Sequence, residues 1–302
     1  MNDFFVIHGT YHLTNRTAAG RATGFEPDGD SIHFKPADPA LLGRLTQLRR
    51  PVTLTNIGST QLRFEGVDAL ELHYQAGGPE TRQPRPLADQ ARDFLTGLLG
   101  LNPVPYAPPA LIRVKPPVER DAAPGFILAR SLEVNGRPVS LAFAGEPPAA
   151  DGATLALTAG LAKRSLNHKL LLTGQAYPLF YDGLPLDVRR TFTTAAQKAR
   201  GAKLGLWRRD LSVKGLAVAG LADLEARGVI FPKLFRRLVE FFGAQPARPL
   251  AEFRPWLAAE APERVLDVRE VDFLDFSEIV QVRATTVRLT RRPEELVFVS
   301  AR

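Results

Sequence analysis

The sequence predicts an α+β fold in two unequal parts, and three observations carry that prediction. Strand-type segments crowd the first third, helical periodicity follows, and a strand-rich tail closes the chain. The length, 302 residues, is about twice that of a common domain. A composition of 45% hydrophobic and 24% charged residues can bury a real core, which excludes a disordered or fibrous chain. No window approaches the run of about 18 uncharged apolar residues that a membrane-spanning helix needs.

In chain order, residues 4–13 and 31–35 are short, β-branched or aromatic, and bounded by Gly, Pro and Asp, which marks strands. Residues 61–67 alternate as a strand with one buried face. The 25 prolines cluster between Pro79 and Pro124 and again at Pro147 and Pro148, and read as ordered connectors. Between them, residues 87–99 carry apolar side chains at helical spacing, with Pro86 before and Gly100 after. Residues 126–134 and 139–144 flank Asn135-Gly136, a tight-hairpin dipeptide. Helices are expected over 153–173, with Asp151 as N-cap, and over 187–203. Beyond residue 212 the pattern predicts short helices at 221–226, 232–242 and 250–259, then strands at 279–289 and 296–300. The expected units are therefore residues 1–212 and a smaller α+β extension, residues 213–302.

Charge narrows the classes of partner. Lys and Arg number 39 against 32 acids, a net charge of +7, and six of those seven surplus charges fall in residues 1–212. A basic surface favours polyanions such as nucleic acid. Cysteine is absent, which excludes disulfides, thiolate metal sites and cysteine nucleophiles. The N-terminal stretch has an acid at Asp3 and no basic leader or long apolar block, so a cytoplasmic location is the expectation.

Three constellations could carry chemistry. Asp28-Gly29-Asp30-Ser31 opens a strand, and side chains two apart share a strand face, so the two carboxylates can meet at a hard, oxygen-seeking cation. The same tetrapeptide also reads as an ordinary Asp-Gly turn. In Arg63-Phe64-Glu65-Gly66-Val67-Asp68-Ala69-Leu70-Glu71, an arginine is followed by an acid five residues on and another three later. If Asp68 joins Asp28 or Asp30 at a metal, Glu71 is placed to orient a water and Arg63 to hold a phosphate oxygen. A solvated loop with an exposed ion pair is the alternative. The third is Gly136-Arg137 at the hairpin, a position that is also commonly just solvated, with Arg130 as a competing phosphate contact. In the extension, Phe231, Phe235, Phe241 and Phe242 read as core or interface packing, and Arg236-Arg237 as a solvated helix face.

Taken together, the D-G-D-S strand start, the R-F-E-G-V-D-A-L-E segment and the N-G-R-P-V-S-L-A-F hairpin resemble the staphylococcal-nuclease-like (thermonuclease) family. Gly174-Gln175-Ala176-Tyr177, Ala195-Ala196-Gln197-Lys198-Ala199-Arg200 and Leu204-Gly205-Leu206-Trp207 extend the resemblance over residues 5–210. It implies an OB-fold barrel of five strands with packed helices, and calcium-dependent hydrolysis of phosphodiester bonds in DNA or RNA with little sequence specificity. On that resemblance Asp30 and Asp68 are metal carboxylates, Ala69 ligates through its carbonyl, and Asp28 belongs to the outer shell of the metal loop. Glu71 orients or deprotonates the attacking water, and Arg63 and Arg137 grip the phosphate. The alternative it allows is a non-catalytic nucleic-acid- or protein-binding module on the same barrel.

The chain also departs from the family. Ala69-Leu70 stands where Thr-Pro is common, residues 76–124 are longer, and Phe180-Tyr181 only approximates the nucleotide-contacting aromatics. Residues 213–302 have no recognised counterpart.

Overall fold

The alternating segment DFFVIHGTYH forms the longest early strand, β1 (Asp3–His12), and the largest sheet is built around it. The structure is a computed structural model that describes residues 3–47, 49–246 and 248–300. A small pair follows β1, β2 (Thr14–Arg16) with β3 (Ala22–Gly24), and then β4 (His33–Pro36). Three short strands carry the second motif: β5 (Thr60–Gln61), β6 (Arg63–Phe64) and β7 (Gly66–Ala69). Helix α1 (Arg85–Leu98) precedes the hairpin β8 (Ala122–Leu132) and β9 (Pro138–Ala144). Next come β10 (Thr154–Ala156), α2 (Ala159–Ala162), α3 (Leu166–Leu172), β11 (Ala176–Tyr181) and α4 (Leu186–Gly201).

Past residue 212 the order is β12 (Leu216–Ala217), α5 (Leu221–Arg227), α6 (Pro232–Ala244) and α7 (Phe253–Glu260). Strands β13 (Arg264–Asp267) and β14 (Asp272–Asp275), helix α8 (Phe276–Ile279), then β15 (Val280–Arg283), β16 (Thr286–Leu289) and β17 (Leu296–Phe298) complete it. No helix among the described residues is long and apolar enough to cross a membrane.

The main sheet runs β5-β4-β1-β8-β9-β6, with β10 added on β1. Its first and last members, β5 and β6, are separated in sequence by Leu62 alone. Two strands that close in the chain cannot lie at opposite ends of a flat sheet, so the six strands curl into a nearly closed barrel. The segment crosses the gap by changing partners. The Leu62 amide donates to Ile32 and that of Phe64 to Asp30, while the Glu65 amide donates to Ser140 on β9. The predicted continuous strand over 61–67 is thus three pieces. Its inward alternation at Leu62 and Phe64 holds, and Gly66 (φ +78°) makes the second bend, where a Cβ would lie 2.7 Å from the Phe192 ring.

A second sheet, β14-β13-β17-β11-β7, crosses the residue 212 boundary because β17 pairs in parallel with β11. The extension is sewn on further by α6, whose Phe231 cap and Leu234, Phe235, Leu238, Phe241 and Phe242 are fully buried. Each such side chain contributes about 2 kcal/mol through burial. The packing role expected for these phenylalanines is what the structure has.

The single helix expected over 153–173 is a strand and two short helices. Asp151 does not cap a helix; its Oδ1 accepts the His8 amide at 2.8 Å, which lets β10 pair with β1. Thr158 and Ser165 then cap α2 and α3 separately. Hydroxyl side chains that hydrogen-bond nearby amides compete with helix continuation, and here two of them win. The strand expected over 279–289 is the hairpin β15–β16.

Candidate active site

Residues 28–31 form a tight turn in which the Asp28 amide donates to the Ser31 carbonyl at 3.0 Å. The Asp28 Oδ1 accepts the Gly29 amide at 2.7 Å. A Cβ on Gly29 would stand 2.6 Å from the Ala69 Cβ and 2.8 Å from that of Ala91 on α1, so only glycine permits this approach. The approach is what brings Asp30 to β7: its Oδ2 accepts the Ala69 amide at 3.2 Å. Thus Ala69 meets the cluster through its N–H. Asp68, one residue earlier, is 1% exposed and lies opposite Tyr177 on β11.

Glu71 is held from the backbone. Its amide donates to Gln83 Oε1 at 3.1 Å, and the Gln83 amide donates back to its carbonyl at 2.9 Å. The same Gln83, fully buried, donates through Nε2 to Gly228 and Ile230 at 2.7 and 2.8 Å. One amide side chain therefore fixes Glu71 to the segment that leads into α6.

Into this acid group α6 delivers Arg236. Its Nη2 donates to Asp68 Oδ2 at 2.9 Å, its Nη1 to Asp68 Oδ1 at 3.1 Å, and the same Nη1 donates to Glu71 Oε1. The expectation of a solvated face for Arg236-Arg237 is overturned. Lys233, Arg236, Arg237 and Glu240 fall at helical spacing on one stripe, and the stripe is packed on polar partners instead of water. Lys233 pairs with Glu263 at 2.6 Å, Arg237 pairs with Glu240 at 2.8 Å, and Tyr74 donates to Glu240 at 2.8 Å. Periodicity alone gives the stripe but not the partners of Arg236, which lie 165 and 168 residues away in sequence.

The electrostatics follow from crowding. Burial, then Glu71 and Asp30, push the Asp28 carboxyl well above its ordinary range. Burial and Asp68 raise Asp30 to about 6 against the pull of Arg63. Glu71 is raised by burial although Arg236 opposes it. Burial alone would lower the pKa of Arg63, yet Tyr181, Asp68 and Asp30 hold it above the ordinary value despite Arg236 nearby. For Arg236 burial also lowers, but Asp68 and Glu71 outweigh it and raise its pKa well above the ordinary value.

The structure therefore brings together Asp28, Asp30, Arg63, Asp68, Ala69 and Glu71, and adds Arg236. It places Arg137 at the hairpin, where its Nε donates to Glu133 Oε1 at 3.2 Å. Arg130 donates to the Gly183 carbonyl and lies over the Phe4 ring at 4.8 Å. Phe180 is buried in the sheet, while Tyr181 is half-buried and its hydroxyl accepts from Lys233 Nζ at 3.2 Å. Among the described residues, no three acids or histidines converge as an ion-holding group. The four carboxylates offer the all-oxygen chemistry that calcium takes. As arranged they do not fit it, because both Asp68 oxygens and one Glu71 oxygen already face a guanidinium.

Comparison with protein-family models gives no match for this chain, and comparison with curated proteins gives none either.

Proposed function

We propose that the chain is a staphylococcal-nuclease-like protein, an OB-fold barrel with packed helices, that hydrolyses phosphodiester bonds in DNA or RNA with little sequence preference. The observation that carries this reading is the meeting of Asp28, Asp30, Asp68 and Glu71 with Arg63, supplied by the two sequence segments in which the resemblance is densest. A phosphodiester resists attack because its own negative charge repels the nucleophile. Arg63 would hold a non-bridging oxygen and offset charge that grows in the transition state. Glu71 would accept a proton from the attacking water, which then bonds to phosphorus as the P–O ester bond breaks. Calcium is the ion the resemblance brings.

The test is cleavage of plasmid and single-stranded DNA and of RNA, with calcium, magnesium or manganese and with chelator. Glu71→Gln should lower the rate by about 10²–10⁴-fold while the protein stays folded. No cleavage by folded protein under any of these conditions would sink the reading. One observation favours the alternative, a non-catalytic binding module: one Glu71 oxygen already accepts from Arg236, which weakens the carboxylate as a base. A module of that kind would retain a salt-dependent affinity for nucleic acid that Glu71→Gln leaves unchanged.

A further inference from the structure

Arg236 sits where a cation shared by Asp68 and Glu71 would sit. Three of its N–H···O contacts go to these two side chains, two to Asp68 and one to Glu71. Bidentate pairing of this kind matches the planar fork of a guanidinium to a carboxylate and satisfies both carboxylate oxygens at once. A divalent ion on the same oxygens would lie against a fixed positive charge, so the two occupants compete directly.

The rest of α6 cannot move aside cheaply. Leu234, Phe235, Leu238, Phe241 and Phe242 are fully buried, and Lys233, Arg237 and Glu240 are paired on either side of Arg236. The Arg236 side chain is less confined, since it keeps 19% of its surface exposed. Exchange would therefore be a rotation of one side chain toward solvent, with the helix staying in place.

The charge balance gives that exchange a driving force. Three acids, Asp30, Asp68 and Glu71, stand against two guanidinium groups, Arg63 and Arg236. Asp28 and Asp30 are engaged by the amides of Gly29 and Ala69. The group remains short of positive charge even with Arg236 in place, and it can attract an ion that Arg236 at the same time obstructs.

We propose that Arg236 is a tethered cation that excludes a divalent ion from Asp68 and Glu71, so that ion binding requires its side chain to leave. The choice of calcium rests on the nuclease reading; the competition itself does not.

Calorimetric titration with calcium alone tests it. Arg236→Ala should bind calcium about 5- to 150-fold more tightly than the unaltered protein, the ordinary range for coupling between competing events. Adding Asp68→Asn to that variant should abolish the gain. Equal calcium affinity in Arg236→Ala and the unaltered protein would overturn the proposal, even if the variant melts at lower temperature. Arg236→Gln keeps donors without charge and serves if the alanine variant does not fold. The unaltered protein gives a second readout. Calcium should expose Arg236 to modification by phenylglyoxal, located by peptide mass mapping, and unchanged reactivity across a titration to millimolar calcium overturns the proposal as well. Tighter calcium binding without any cleavage would refute the nuclease reading and leave the competition standing; cleavage with unchanged calcium affinity would do the reverse.

Discussion

Gly29 has no side chain, and the carboxylate group depends on that. A methyl group there would force the turn away from Ala69 and Ala91, for which overpacking costs of about 1–3 kcal/mol are usual. Gly29→Ala should lower the midpoint of urea denaturation and also weaken any cleavage, because Asp30 would leave the Ala69 amide. A midpoint equal to that of the parent would show that the loop yields freely. Glu65 makes a separate case. It is buried, and that burial raises its pKa from 4.5 to about 7 against the opposing field of Arg130. The folded chain thus holds this proton more tightly than the unfolded chain, so the contribution is present at low pH and is lost as pH rises from 4.5 to 7. Glu65→Gln should match the parent near pH 4.5 and exceed its stability at pH 8 by on the order of 3 kcal/mol, read from denaturant curves at both pH values. At this scale the sequence was most legible. Asp28-Gly29-Asp30 and the Arg63-to-Glu71 run are local patterns, although Asp28 and Asp30 lie in a tight turn and not on one strand face. Arg236 was illegible, because nothing in the helix spells out what lies across from it.

Among the elements, α3 shows how a short helix becomes a strut. Asn167 is fully buried; it accepts the Ala142 amide at 2.9 Å and donates to the carbonyls of Glu65 at 2.9 Å and Ser140 at 3.1 Å. It therefore joins β9 to the bend that carries β6 into β7, the point at which the barrel passes the chain to the second sheet. Asn167→Ala would leave the Ala142 amide and the Glu65 carbonyl without these partners, while the Ser140 carbonyl keeps the Glu65 amide, a loss of about 2–5 kcal/mol. Hydrogen exchange should then speed up first at Ala142 and Glu65; uniform loosening of the whole chain would argue against a local strut. Long helices and the β8–β9 hairpin were readable from periodicity and turn residues. Residues 153–173 were not, since the strand pairing of β10 with β1 is a long-range choice that outweighs a helix-friendly local sequence.

For the molecule as a whole, the sequence suggests a division near residue 212, but it gives no sign of the sheet that runs across that point. Strand β17 lies between β11 and β13, and pairing partners more than 100 residues apart leave no local signature. A chain ending at residue 212 would uncover the edge of β11 and strip Arg236 from the buried Asp68. Breaking a buried pair from one side costs about 3–5 kcal/mol before any loss of packing. That truncation should lose its cooperative unfolding transition in calorimetry, and a sharp transition near the parent temperature would refute the expectation. The net charge of +7 bears on the proposed substrate: if the chain binds nucleic acid, that affinity should fall linearly on a log–log plot against salt, with a slope set by the phosphates neutralised.

The parallel insertion of β17 also sets an order in time. During synthesis β7 and β11 emerge early, yet the strand that joins them to β13 is made only at Leu296–Phe298. Long-range pairing of this kind forms slowly, after the local hairpins and helices. Until that last strand has been made, the second sheet is therefore unfinished. The consequence is one of waiting: the sheet that holds Asp68 on β7 depends, through β11, on a strand made more than 100 residues later.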